Sequence, residues 1–379
     1  MRPLLTPAHY TSDDWYAREE SCIFARLWIL AAIKPMLANH NDYRTLTLAG
    51  KPVVMQNHHG VIRAFNNTCR HRMARIQNEE FGNRALVCPY HHWRYGEQGE
   101  LMHTHRDPGV FGFTQQETAD IRLRQYAVST IGNLVFINLS SDPIPLEQQF
   151  SRDTIDLLER YTNQMDSCFI YTRYDGDFNW KTGMENIKDL LHIPCLHKST
   201  FPQYFRGDIN ADAAMNGRDN TYQPSNTGLQ EATSRGGFTL PMQDAPVHEW
   251  KELVHRLDCQ GRYQTFHLFP NVNLMIVDGS SFAIQIYNPL AAGRTEMQMM
   301  VALTRSEADF PYKPLVLWEH LVSDMVVLQE DIDCLEAMQK NLYATQDDLI
   351  HGAYETGVLD FQAAYLAQMQ SGNDCGEAI

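Results

Sequence analysis

No stretch of this chain stays apolar for long enough to cross a bilayer. The first apolar run, Leu27 to Ile33, is seven residues long, whereas a spanning helix needs about 20. Positive charge is also scarce: 31 Lys and Arg stand against 46 Asp and Glu, a formal net charge of −15. Without a basic stripe to neutralise phosphates, nucleic acid is excluded as a partner. An acidic surface instead keeps a protein dissolved and suits a basic protein partner. No Gly-x-Gly-x-x-Gly follows a strand-like run, so the chain lacks a flavin or nicotinamide fingerprint. Internal repeats and low-complexity tracts are absent. The eight cysteines (22, 69, 88, 168, 195, 259, 334 and 375) are scattered, unlike a disulfide scaffold. Two of them have metal-type spacing, and the other six read as ordinary thiols. Asp13, Asp14, Glu19 and Glu20 precede the first apolar run, unlike a signal peptide. These absences predict a cytoplasmic protein that touches neither nucleic acid nor membrane.

What is present is enough for two domains. The chain has 379 residues, 44% apolar and 20% charged, an ordinary globular composition at a length that supports two cores. Residues 12 to 33 carry apolar side chains largely at three- and four-residue steps, which predicts a helix ended by Pro35. From Tyr43 to Ile137 short β-type runs alternate with Gly and Asn turns, the texture of a small all-β module. Its runs include Arg44–Leu48, Pro52–Gln56, Val61–Asn66, Leu86–Cys88 and Leu134–Leu139. Ser141-Asp142-Pro143-Ile144-Pro145 reads as a linker. A helix over 151–165, a strand over 168–180 and a helix with a Thr182/Glu185 capping box follow. Residues 206–238 form a long polar stretch of the kind found in lids. Four antiparallel β-type runs then lead to a long amphipathic helix from Pro314 to Leu342.

The first constellation is Cys69-Arg70-His71 followed by Cys88-Pro89-Tyr90-His91. One thiolate and one imidazole on each of two tight loops suit a two-iron cluster in which cysteines hold one iron and histidines the other. A single structural zinc takes the same ligand types, although zinc fingers of that kind place both histidines together on a helix. The second constellation is Asp189, His192 and His197. Asp189 and His192 share a helix face, while His192 and His197 would splay by roughly 140° on a regular helix. Pro194 between them breaks that regularity. On the long helix, Asp331 has Leu328 and Leu335 as same-face neighbours and so borders the buried stripe. Glu330 and Asp333 sit on flanks further out. A carboxylate pushed toward a core needs a partner, and a metal is a good one. Two histidines and one carboxylate mark non-heme Fe(II) oxygenases. The alternatives are two unrelated histidines and an exposed helix acid.

Both constellations in this order resemble the large (alpha) subunits of Rieske non-heme iron aromatic-ring hydroxylating oxygenases. The resemblance spans nearly the whole chain and includes Asn179-Trp180-Lys181 and the pattern Gln329-Glu330-Asp331…Glu336. It implies an α+β chain: an all-β Rieske [2Fe-2S] module plus a catalytic domain with an antiparallel sheet and flanking helices of the helix-grip kind. The expected division is 1–36 (an N-terminal helix on the catalytic domain), 37–142 (Rieske) and 143–379 (catalytic). The resemblance implies that Cys69, His71, Cys88 and His91 hold the [2Fe-2S] cluster, and that His192, His197 and Asp331 hold one mononuclear Fe(II). It further implies that Asp189 links His192 to the His91 position of a neighbouring subunit in a trimer or a multiple of it. A carboxylate between two metal-bound imidazoles orients both and shortens the electron's path.

The activity implied is that of a terminal oxygenase using O2 and electrons from NAD(P)H through a separate reductase, with or without a ferredoxin. Glu185-Asn186-Ile187-Lys188-Asp189 looks most like the branch acting on aromatic acids, which predicts ring hydroxylation or dihydroxylation. That branch has Pro-Tyr where this chain has Leu190-Leu191. Asn186, Leu190, Phe201, Phe205 and Phe266 are the expected substrate contacts, with Tyr204 and Phe269 as further aromatic candidates and Arg206 and Arg235 as readers of a carboxylate. The same aromatics could cage a quaternary ammonium, which makes an N-demethylating monooxygenase the second reading. A non-catalytic Rieske electron carrier is the third, and it would need none of His192, His197 or Asp331.

Overall fold

The structure, a computed structural model, describes residues 3–104, 110–200, 239–242, 248–352 and 355–371. Phe201, Tyr204, Phe205, Arg206, Arg235 and the polar stretch 206–238 lie outside the described residues. The chain divides into two units, one comprising Met1–Glu19 with Glu147–Asp374 and the other Glu20–Leu146. The divisions therefore fall at 19/20 and 146/147, where the sequence points to 36/37 and 142/143.

The predicted helix over 12–33 breaks in two. A short α1 (Ala8–Thr11) and α2 (Asp13–Glu19), whose Asp13 and Asp14 suit its N-terminus, run into a π-turn over Glu20–Phe24. The apolar run then becomes β1 (Ile29–Ile33), buried along its whole length. A five-residue apolar run has no diagnostic period, and β-branched and aliphatic side chains suit a pleated, enclosed strand.

β1 joins a seven-stranded sheet with β2 (Asp42–Leu48), β3 (Lys51–His58), β4 (Val61–Asn66), β5 (Phe81–Asn83), β8 (Gln125–Ile131) and β9 (Leu134–Asn138), in the order β1-β9-β8-β4-β3-β2-β5. A separate pair, β6 (Arg94–Tyr95) and β7 (Leu101–His103), lies between them in the chain, and α3 (Gln115–Asp120) follows with a capping box from Thr114. Leu86–Cys88 is not a strand; only the bridge Val87↔Arg94 forms there. Cys22 is disulfide-bonded, a departure from the ordinary thiol expected.

The other unit is built on a six-stranded antiparallel sheet, β10-β15-β14-β13-β12-β11. Its strands are β10 (Met165–Gly176), β11 (Thr239–Pro241), β12 (Arg262–Leu268), β13 (Val272–Val277), β14 (Ser281–Ala291) and β15 (Arg294–Thr304). Its helices are α4 (Leu146–Gln149), α5 (Arg152–Thr162), α6 (Trp180–Asn186), α7 (Ile193–Leu196), α8 (Lys313–Ala344) and α9 (Thr356–Ser371). β10 stops at Gly176, so Trp180 opens α6 instead of ending a strand. Asn179 caps α6 by accepting from the Lys181 amide at 2.9 Å. The Thr182/Glu185 capping box is therefore not formed. Thr182 donates back to the Asn179 carbonyl, and Glu185 turns inward to accept from Tyr10 Oη and Gln362 Nε2. Beside it, Glu19 and Lys181 form a buried ion pair at 2.5 Å, with Trp180 Nε1 and Tyr365 Oη also donating to Glu19. These bonds satisfy a charge that burial alone would penalise.

Candidate metal centres and active site

The Cys/His loops are tips of two short hairpins closed by the bridges Thr68↔Arg75 and Val87↔Arg94. They repeat one geometry. Cys69 N donates to Ala74 O and Cys88 N to Trp93 O, while Met73 N returns to Cys69 O and His92 N to Cys88 O. Met73 and His92 take left-handed conformations, φ 58° and 56°, which turn each loop sharply enough to present both of its donors together. Cys69 and Cys88 are buried in the core formed by Phe65, Trp93, Tyr95 and Leu101. The imidazoles of His71 and His91 lie with centroids 4.5 Å apart. Trp93 stacks on His71 at 4.8 Å and 9°, so its role is packing. Tyr95 Oη lies 3.2 Å from Cys69 Sγ and accepts from the Arg70 amide. Burial pushes the Cys69 thiol up, and a metal is what holds such a sulfur as thiolate. His71 Nδ1 is buried without a partner among the described residues. The donor set fits a [2Fe-2S] cluster.

In the other unit, His192, His197 and Asp331 bring one donor atom each to within 4.8 Å of one another. Nε2 of His197 is 3.0 Å and Nε2 of His192 is 3.6 Å from Asp331 Oδ1. Pro194 does not bend a continuing helix. It opens the separate short helix α7, and the two histidines are the residues flanking it. Asp331 is buried on α8, as its neighbours Leu328 and Leu335 predict. Each histidine has a carboxylate behind its other nitrogen. Asp189 Oδ2 is 3.4 Å from His192 Nδ1, with Asp189 Oδ1 accepting from the Leu191 amide at 2.7 Å. Glu330 Oε2 is 2.8 Å from His197 Nδ1 and also accepts from Thr200 Oγ1. A proton held on Nδ1 by Glu330 leaves Nε2 of His197 as a metal donor. Burial alone would lower the His197 pKa, but Asp331 and Glu330 outweigh it and raise it. The set fits a metal with open positions.

Beside this centre a cavity of about 290 Å³ opens between α8 and the sheet. Asn186, Leu190 and Asp189 line it, as do His192, His197 and Asp331. Phe266 does not. Strand alternation turns Thr265 toward the cavity and Phe266 to the opposite face, where its ring meets Tyr161 at 6.4 Å. Phe269 packs against Phe361. The sequence reading missed Asp324, Glu319, His320 and Trp250, which line the cavity, and no Lys or Arg does so among the described residues. Burial raises the Asp324 carboxyl to about 7 and, with Lys251 nearby, lowers His320 to about 4.

Comparison with known proteins agrees with both centres. Residues 28–114 match the Rieske [2Fe-2S] domain, and residues 168–371 match the ring hydroxylating alpha subunit (catalytic domain). The chain is 25% identical over 341 residues to the carnitine monooxygenase oxygenase subunit of Escherichia coli (strain K12), covering 88% of this chain and 82% of that one. It is 24% identical over 320 residues to the 2-halobenzoate 1,2-dioxygenase large subunit of Burkholderia cepacia, covering 79% and 68%. The crystal structure of the quaternary ammonium Rieske monooxygenase CntA in complex with L-carnitine superposes with a TM-score of 0.70 at 21% identity, covering 97% and 95%. With an all-β Rieske module ahead of a sheet-and-helix domain that gathers a two-histidine, one-carboxylate site, this chain belongs to the ring-hydroxylating alpha-subunit family of Rieske oxygenases.

Proposed function

We propose that this chain is the terminal oxygenase of a multicomponent system and that its substrate is a cation, an ammonium compound hydroxylated at a carbon held beside the His192/His197/Asp331 centre. The observation that carries this reading is the charge of the cavity. Asp324 and Glu319 face it, and its described lining contains no Lys or Arg. An aromatic acid would need a cation there to offset its carboxylate. The relatives whose names specify carnitine, which carries a quaternary ammonium as well as a carboxylate, support the cationic part of this choice, and where the oxidised carbon is an N-methyl group, hydroxylation leads to demethylation.

When bound, the [2Fe-2S] cluster supplies electrons one at a time, and the mononuclear iron supplies the site at which O2 is activated. The overall reaction takes O2, two electrons and two protons and gives the hydroxylated product and water. NAD(P)H provides the electrons through a separate reductase. In this reading Cys69, Cys88, His71 and His91 hold the cluster, and His192, His197 and Asp331 hold the iron. Asp189 orients His192 and reaches toward the His91 position of a neighbouring copy in a trimer. Glu330 orients His197. Leu190 and Asn186 shape the wall nearest the metal.

The test is substrate-dependent O2 uptake by the iron-loaded protein with a generic reductase, across betaines, alkylamines and aromatic acids. Cations are expected to stimulate uptake with stoichiometric product. Stimulation by aromatic carboxylates alone would overturn the reading.

A further inference from the structure

The cavity is a slot whose two ends can be told apart. On α8, Asp324 and Asp331 are seven residues apart, two turns of one face and about 10 Å along the axis. The sheet beneath keeps step. Gln285 pairs with Asn273, Ala283 with Met275 and Ser281 with Val277, rungs that together span about 13 Å. The start of α8 is fixed by the Lys313–Asp166 ion pair, beside Ser306 just past the end of β15. Further along α8, Gln339 Oε1 accepts from Asn179 N, and Asn179 Nδ2 donates to the Ala292 carbonyl just past the end of β14. α8 therefore runs in the direction of β14, so Asp331 lies toward the Gln285 end of the slot and Asp324 toward the Ser281 end.

The far end is short of partners. Ser281 is 1% exposed, and its Oγ has no hydrogen-bond partner among the described residues. Its side chain lines the slot. Asp324 makes no hydrogen bond or ion pair among the described residues, and desolvation raises its pKa to about 7. An enclosed carboxylate without a counter-charge is costly. Trp250 stands at the same end with His320 against its ring at 5.5 Å, and the neighbouring cation Lys251 is already paired with Asp278 at 2.6 Å. Among the described residues, this end lacks a positive group carrying hydrogen-bond donors.

We propose that Asp324 is the specificity residue for the substrate's cation: a protonated amine bound between Asp324 and Ser281 Oγ, with the carbon to be oxidised at the opposite end of the substrate, beside the metal donors. The proposal rests on the reading of the substrate as a cation and sharpens it. A fully alkylated ammonium has no N–H for Ser281, and placing its charge at Asp324 would keep its methyl groups away from the metal.

Four probes of one skeleton test this: 3-phenylpropylammonium, its N,N,N-trimethyl analogue, 3-phenylpropanol and 3-phenylpropionate. Binding to the iron-loaded oxygenase is measured, then O2 uptake and product with a reductase. The primary ammonium is expected to bind at least tenfold more tightly than the alcohol and to be oxygenated on the ring. In Asp324→Asn that preference falls tenfold or more, and Asp324→Glu restores part of it. An unchanged ammonium-to-alcohol ratio in the folded Asp324→Asn protein overturns the role of Asp324. Preferred binding of the trimethyl analogue with oxidation at N-methyl overturns the distal placement while leaving the cation reading intact. Binding of the propionate alone defeats the cation reading itself.

Discussion

Glu330 Oε2 stands 2.8 Å from Nδ1 of His197, on the other side of that imidazole from Asp331. Adjacent residues of α8 thus hold one histidine from two directions, one acid at each ring nitrogen. Removing the outer carboxylate should leave the ligand set intact and loosen it. Glu330→Gln is expected to lower affinity for the mononuclear metal by about 10–100-fold, seen as faster iron loss on dialysis against a chelator with the cluster's visible spectrum unchanged. Iron retention equal to the parent's would remove Glu330 from this role.

Asp189 has the corresponding position behind His192. If it links that imidazole to a cluster on a neighbouring copy, Asp189→Asn should leave cluster reduction intact and slow its reoxidation by substrate and O2. A slowing of about 10–100-fold is expected by analogy with other outer-shell carboxylates. Single-turnover stopped-flow absorbance checks it, and reoxidation at the parent rate would contradict it.

The cluster itself has a tuning contact. Tyr95 Oη is 3.2 Å from Cys69 Sγ, and a donor to a ligand sulfur stabilises the reduced, more negative state. With the net value of one hydrogen bond at about 1 kcal/mol, Tyr95→Phe should lower the reduction potential by roughly 40 mV for one electron. Redox titration followed by EPR measures this. A potential that does not fall would show that the hydroxyl is not donating to the sulfur.

Asp324 has a stability consequence separate from its proposed role in binding. Its carboxyl is raised to about 7 in the folded chain against about 3.9 when unfolded. Between those values the folded state keeps a proton that the unfolded state has released, so stability falls as pH rises through the window. Without ligand, Asp324→Asn should be more stable than the parent by about 2 kcal/mol at pH 8, an amount discounted for the side chain's access to the cavity. That advantage should vanish near pH 4. Denaturant melts at the two pH values check it; an advantage of the same size at both would contradict it.

The grouping of His192, His197 and Asp331, and of the two Cys/His loops, was legible in the sequence because its signals are local. Cys69/His71 and Cys88/His91 repeat one loop, and Asp331 is betrayed by Leu328 and Leu335 a turn either side. The all-β module and the later β-type runs and helices were legible as separate textures, and the family resemblance implied the α+β class. What was not legible depends on distance or parity. Ile29–Ile33 is too short an apolar run to reveal its period. Glu330 looked peripheral on the helix, yet its side chain reaches a histidine 133 positions away. Phe266 has the aromatic side chain expected of a pocket residue, but strand parity turns Thr265 toward the cavity instead. Asp324 shares a face with Asp331, a signal that acquires meaning only once both are seen to line one cavity with Ser281.

If one chain carries two iron centres with separate ligand sets, Asp331→Ala should empty one and spare the other. Iron per chain in that variant is measured by mass spectrometry beside EPR of the reduced cluster. About three irons are expected in the parent and two in the variant, with an unaltered Rieske signal and abolished turnover. A variant that keeps three irons and normal turnover, or a parent that carries one zinc and no Rieske signal, would contradict it.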